Sequence, residues 1–319
     1  MKKLWVKIST IIITVVLLAL LFTQINLVDI IVTLENINPV FLLAGFILYT
    51  CSYFFRAWRF HILLNREVSI KDLFSIGCVH NMMNSLLPVR TGELSYIYLL
   101  KKINNRTTGE GFATLLVARI FDFIAITLLF FISFIFARDL LPELSNIIWI
   151  LLIFLFILVI LLLMVIYARE PIRLLKYILK ITCLNRLSIS KYILNVVEEG
   201  NKSIEKIHIK DFFIKGLSIS IFIWFLNDLI VFLLLKGMDI TLPFQIVVLG
   251  ATFSLLSMII PIQGIAGFGT QEGFWVFAFV PLGVSLDKAI SSGFVFHIVI
   301  ILYFLILGSI GIFSLKNKI

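Results

Sequence analysis

The side chains most able to do chemistry here are charged or amide groups set in apolar surroundings. Arg119 and Asp122 stand three apart in Ala118-Arg-Ile-Phe-Asp122, one face of a helix. Asn227 and Asp228 interrupt Ile223-Trp-Phe-Leu-Asn-Asp-Leu-Ile-Val231, Arg56 and Arg59 punctuate Tyr53-Phe-Phe-Arg-Ala-Trp-Arg-Phe60, and His297 sits in Phe294-Val-Phe-His-Ile-Val299. A charge at mid-bilayer costs at least about 2.5–3.5 kcal/mol on insertion scales, so each needs a partner or a wet cavity. Arginines suit phosphate, and carboxylates can balance charge, hold a proton or meet a cationic headgroup. Each also has a plainer reading. Arg119 and Asp122 can neutralise each other, Arg56 and Arg59 can reach toward inner headgroups, and a lone His297 can be a hydrogen-bonded core residue.

Two further constellations lie where apolar segments break: Asn84-Ser-Leu-Leu-Pro-Val-Arg-Thr-Gly-Glu93 and Ile260-Pro-Ile-Gln-Gly-Ile-Ala-Gly-Phe-Gly-Thr-Gln-Glu272. Pro88 and Pro261 are expected to end entering half-helices, and Thr91 and Thr270 to cap returning ones. A returning half-helix aims its N-terminal N–H groups at the membrane middle, an anion site to which Arg90 adds a full charge. Gln263, Gly264, Gly267 and Gly269 would let the second tip approach a ligand closely. Glu93 and Glu272 would compete with an anion there, pair with Arg90, hold a proton or meet a cation. The candidate binding set is therefore Asn84, Arg90, Glu93, Arg119, Asp122, Gln263, Thr270 and Glu272, with Arg56, Arg59, Asp228 and His297 secondary. No catalytic residue, metal ligand or cofactor is expected.

The elements that must hold these residues are membrane helices. The chain is 61% hydrophobic and 14% charged, with a mean hydropathy of +1.11; a soluble domain is nearer half apolar and a quarter charged. Runs long enough to cross a bilayer fall at about Leu4–Thr23, Pro39–Leu64, Glu110–Ala137, Ser145–Ala168, Phe212–Leu235 and Asp287–Phe313. The first lacks a following small-residue cleavage site and reads as a span, not a signal peptide. Basic residues collect at Lys2, Lys3 and Lys7, at Arg56–Lys71, at Lys101–Arg106, in 169–211 and at Lys316–Lys318. The positive-inside rule then puts both termini in the cytoplasm. It also makes Asp72–Lys102 and Phe244–Val280 re-entrant broken hairpins that dip from opposite faces. The expected fold is an all-α polytopic membrane protein of six spans and two such hairpins, arranged as an inverted repeat (1–140 and 141–319) within one domain. The second span and the hairpin start about 33 residues apart in both halves (Pro39 to Asp72, Phe212 to Phe244), and such repeats are a transporter device. In the basic stretch 169–211, Arg173, Lys176 and Lys180 share a face opposite Ile172, Leu175, Ile178 and Leu179. That pattern fits an interfacial helix over anionic lipid or a solvated linker.

Several classes are excluded. There is no Walker A loop, no GxGxxG after a strand, no HExxH, no GxSxG and no Asp-x-Asp metal-phosphate signature. The net charge of +9 is accounted for by loop topology, so no nucleic-acid partner is expected. Cys51, Cys78 and Cys183 form no CxxC pair and read as apolar packing.

Tyr53-Phe-Phe-Arg-Ala-Trp-Arg-Phe-His-Ile-Leu-Leu64, the first tip, Ala118-Arg-Ile-Phe-Asp122 and the second tip, in that order, resemble the lysylphosphatidylglycerol synthase transmembrane-region family. This is the flippase-like membrane domain also found in multiple peptide resistance proteins. The resemblance covers nearly the whole chain. It implies a prokaryotic plasma-membrane protein that handles lipids in a cavity built from two re-entrant segments, with Arg90, Glu93, Arg119, Asp122 and Glu272 at the matching polar positions. The synthases add a soluble aminoacyl-transferase domain; this sequence ends at Ile319, so lysyl transfer is not expected. The second tip reads Gln-Gly-Ile-Ala-Gly in place of a Pro-Gly-Gly-type turn. The expected function is a non-enzymatic lipid flippase or transporter with membrane lipids as partners. The alternatives are a membrane transferase using Glu93 or Asp122 as general base, or a scaffold for a separately encoded soluble lipid-modifying enzyme.

Overall fold

The computed structural model describes residues 27–86, 92–138, 209–255, 265–316 and 318. Within them the chain forms nine α-helices and no strand: α1 (Leu27–Asn36), α2 (Pro39–Leu63), α3 (Ile70–Leu86), α4 (Glu93–Asn104), α5 (Thr108–Ala137), α6 (Ile209–Gly237), α7 (Phe244–Ser254), α8 (Thr270–Phe279) and α9 (Leu286–Leu315). A 3-10 turn, Ile265–Gly267, precedes α8.

Four helices contain stretches long and apolar enough to cross a membrane: Pro39–Leu63, Thr108–Ala137, Phe213–Gly237 and Leu286–Leu315. They coincide with four of the six expected spans. The other two, Leu4–Thr23 and Ser145–Ala168, lie outside the described residues, as does the basic segment up to residue 208. Local chemistry sets the starts. Asn38 accepts from the Val40 N–H at 3.0 Å with Pro39 at the first helical position of α2. Thr107 and Glu110 form a reciprocal capping box, with bonds of 3.1 and 3.0 Å, that starts α5 two residues before the expected Glu110.

Helices α3, α4, α7 and α8 are 17, 12, 11 and 10 residues long, below the roughly 20 that a span requires. They pair. Helix α4 runs back along α3: the His80 ring contacts the Gly92 carbonyl at one end, and the Asn104 amide donates to Asp72 at the other. At Gly92 a Cβ would fall 2.3 Å from the Asn84 backbone, so only glycine permits this turn. Helix α8 returns along α7, since Leu282 just beyond it clusters with Ile246 and Leu249. Span α2 packs on α6, α3 packs on α9, and α7 packs on α5. Each broken pair thus leans its first arm on a long helix from the other half of the chain.

One expectation about these pairs is corrected. The residue capping α4 is Gly92, and the one capping α8 is Gly269. Thr270 is the first helical residue, not the cap, because the Glu272 carboxylate reaches back to the Gly269 N–H. The α-helix of the second pair's entering arm runs to Ser254, and residues 256–264, which include Pro261, lie outside the described residues. Pro88 and Thr91 also lie outside them.

Large apolar side chains point outward, among them Val40, Phe136, Ile214 and Phe313, as a lipid-facing surface requires. Helix contact relies on small residues. At Gly311 of α9 an added Cβ would lie 2.8 Å from the Ser75 carbonyl of α3, a backbone atom with no freedom to move aside. Gly311→Val should therefore destabilise the fold by about 1–3 kcal/mol, read as a lowered midpoint of thermal unfolding in detergent; a midpoint equal to wild type would refute this packing.

Candidate functional site

Three long helices converge on one ion pair. Arg59 of α2 grips Asp122 of α5 with both guanidinium nitrogens, Nη1 to Oδ1 at 2.6 Å and Nη2 to Oδ2 at 3.2 Å. Ser220 of α6 accepts from Arg59 Nη1 at 2.6 Å, and the Trp224 indole N–H donates to Asp122 Oδ1 at 3.0 Å. Arg59 is 1% exposed. It does not reach the headgroups, as an arginine in the inner half of a span might, because α5 supplies a forked acceptor within the protein.

The expected Arg119–Asp122 pair is likewise displaced. Arg119 approaches Asp122 only at 4.0 Å, while its Nη2 meets Glu93 Oε1 at 2.5 Å. The charges are crossed between elements: α2 with α5, and α5 with the start of α4. The backbone carbonyl of Gly92 can only accept, so His80 donates to it from Nδ1 at 3.2 Å and turns Nε2 toward Glu93, 3.9 Å away.

Arg56 is different. Its guanidinium lies over the rings of Tyr53 and Trp224, 5.7 Å from each centroid, and its Nε has no hydrogen-bond partner. Among the described residues it forms no ion pair. It stands in the wall shared by two adjoining cavities. One, of about 170 Å³, is lined by Arg56, Arg59, His80, Asn84, Arg119 and Asp122. The other, of about 230 Å³, is lined by Asn227, Asp228, Ser254, Trp275 and His297. Tyr53, Arg56, Asn81, Ser85, Trp224 and Gln271 line both, so the two cavities adjoin, and together they are called the chamber below. Its size and polar walls suit ordered water.

The far wall is the second tip. Glu272 is fully buried, with one oxygen accepting the Gly269 N–H at 2.7 Å and the other 2.6 Å from His297 Nδ1. His297 Nε2 donates to the Ala266 carbonyl at 3.1 Å, because a carbonyl cannot donate. One proton is left for the Glu272–His297 bond, so the pair is neutral overall whichever partner holds it. Ala266 has φ 52°, a left-handed conformation that costs a non-glycine residue free energy; the histidine bond holds it there.

Of the sequence candidates, Asn84, Arg119, Asp122, Arg56, Arg59, Asp228 and His297 line the chamber, and Glu93 joins it through Arg119. Glu272 and Thr270 are buried beside the second tip, with Glu272 turned to His297 and not to the chamber. Arg90, Gln263 and Gly264 lie outside the described residues. Sequence reasoning missed His80, Asn81, Trp224 and Gln271. Two signals were available: Asn81 and Asn84 share a helical face, and Trp224 stands one turn before Asp228.

The model of the lysylphosphatidylglycerol synthase TM region matches residues 6–308. The chain belongs to that family. A curated relative, Glycosyltransferase AglD of Haloferax volcanii, is 28% identical over 123 residues, which is 37% of this chain and 20% of that protein. This family member therefore aligns with about a fifth of that relative's length. No solved structure matches it.

The crossed ion pairs make a specific stability claim. Removing one partner of a buried pair strands the other charge and costs about 3–5 kcal/mol, whereas an apolar replacement of both is far milder. Asp122→Asn should lower the unfolding midpoint sharply, and Arg59→Met with Asp122→Leu should recover most of the loss; a double variant as unstable as Asp122→Asn would contradict it.

Proposed function

We propose that this protein is a lipid flippase or lipid transporter that passes a phosphate-bearing headgroup through the chamber while the acyl chains stay in the bilayer. One observation carries the reading: Arg56, a cation with no carboxylate partner among the described residues, stands in the wall of the chamber within a membrane domain. An uncompensated charge there is costly unless something anionic visits. The family's name supports a lipid substrate.

In this reading the two broken pairs are re-entrant hairpins entering from opposite faces, and the halves are an inverted repeat. The reciprocal packing of α3 on α9 and α7 on α5 supports that symmetry, and exchange of the two halves' conformations would alternate the open side. Both termini would be cytoplasmic at a prokaryotic plasma membrane, and no bond in the lipid would be made or broken.

A second reading is an integral-membrane transferase or an accessory subunit acting on a lipid-linked substrate. It is favoured by the name of the partial relative, a glycosyltransferase. It predicts a chemically altered lipid after incubation with purified protein.

Reconstitution in liposomes with acyl-labelled lipids of varied headgroup separates these. Wild type should accelerate exchange between leaflets. Arg56→Gln should slow it about tenfold, equivalent to about 1.4 kcal/mol, without lowering the unfolding midpoint, since no ion pair is broken. Absence of acceleration for every lipid tested, polyprenyl-linked sugars included, would defeat the flippase reading.

A further inference from the structure

Asp228 is the counterpart of Arg56. It is 7% exposed, it lines the chamber, and among the described residues it forms no hydrogen bond or ion pair. The neighbouring Asn227 amide is turned away to the Ile223 carbonyl at 2.8 Å. The other titratable groups nearby do not answer it: Glu272 and His297 are bound to each other and to the tip backbone. Arg59 and Arg119 are taken by Asp122 and Glu93.

Among the described residues the charged side chains at the chamber therefore match in number, with Arg56, Arg59 and Arg119 facing Glu93, Asp122 and Asp228. The match is divided in space. Among the described residues Arg56 and the Asp228 carboxyl remain unanswered, and they are not paired with each other. Trp224 lines the same cavity as both. Its ring faces Arg56 at 5.7 Å, and Asp228 follows it by four residues, about 6 Å along the helix axis.

The surroundings of Asp228 favour a cation. Trp224 and Trp275 present aromatic surface to the same cavity. Ser254 and Leu255, at the C-terminal end of the short helix α7, also line it, and that end carries the negative pole of the helix. No group of three or more His, Cys, Asp or Glu suited to a metal occurs among the described residues. One carboxylate with aromatic walls suits an ammonium better than a divalent ion.

We infer that the Asp228 end of the chamber is an ammonium site, so the headgroup taken is zwitterionic, of the phosphoethanolamine type: its phosphate at Arg56, its amine at Asp228. This rests on the lipid reading for its biological meaning, but the binding site is testable without transport. An anionic headgroup lacking an amine would answer Arg56 and leave Asp228 alone.

The test is calorimetric titration of the purified full-length protein with glycerophosphoethanolamine and with glycerophosphoglycerol. Wild type should bind the first at least tenfold more tightly. Asp228→Asn should erase that preference by weakening only the amine-bearing ligand, Asp228→Glu should retain it, and Arg56→Gln should weaken both. Unfolding midpoints verify that the variants are folded. Equal binding of the two headgroups by wild type would overturn the inference, as would an equal loss of both in folded Asp228→Asn. So would sodium chloride binding at Asp228 with no headgroup preference, which would assign the site to a free cation. Selective binding without lipid exchange would retain the ammonium site and remove the transport reading. Lipid exchange insensitive to the amine would do the reverse.

Discussion

Charge inside lipid must be answered inside the protein, and the Arg59–Asp122 pair is where this chain meets that constraint. Its two residues and their Ser220 and Trp224 partners come from three long helices, so the pair fixes how α2, α5 and α6 sit relative to one another. Everything near the chamber depends on that placement. With Asp122 committed to Arg59, Arg119 is released to Glu93, and Glu93 is the first residue of α4. The start of the returning arm of the first broken pair is thereby tied to a membrane-spanning helix by a charge, not by apolar packing alone. With Arg59 and Arg119 both answered, Arg56 is the arginine left to face the chamber among the described residues.

Much of the fold was legible because its signals are local. Runs of apolar residues are written within consecutive positions, and they located α2, α5, α6 and α9 to within about three residues. The breaks in Asp72–Lys102 and Phe244–Val280 were legible for the same reason, since glycine and proline act on their own backbone. The exact ends were less so. Glycines, not threonines, cap the returning arms. At Gly92 the deciding fact is contact with Asn84 across the turn, which a linear reading does not contain.

The site was legible as a set of residue types but not as a set of partners. Arg119 and Asp122 are neighbours on one helix face, and proximity in sequence favoured pairing them. The forked geometry available to Arg59 from another helix wins, because two parallel N–H···O bonds in a buried setting outweigh a single 4.0 Å approach. His297 followed the plainer expectation in being hydrogen-bonded, yet its role is more specific. It neutralises Glu272 and holds the Ala266 carbonyl, so the second tip keeps a left-handed alanine. His80, Asn81 and Gln271 were missed because isolated polar residues in a helix carry no signal until the helices that surround them are known.

The two tips therefore differ in kind. The first meets the chamber through charge: Glu93 and its arginine are part of the wall network. The second meets it through a neutral pair and a constrained backbone. The chamber therefore presents two chemically different surfaces to whatever occupies the space between the tips. The asymmetry falls along the same line as Arg56 and Asp228: the arginine belongs to the first half and opens onto both cavities, while the aspartate belongs to the second half and opens onto only one. Helices from the two parts of the chain can in this way hold a polar axis in their side chains, and a ligand with a charge at each end has one preferred orientation along it.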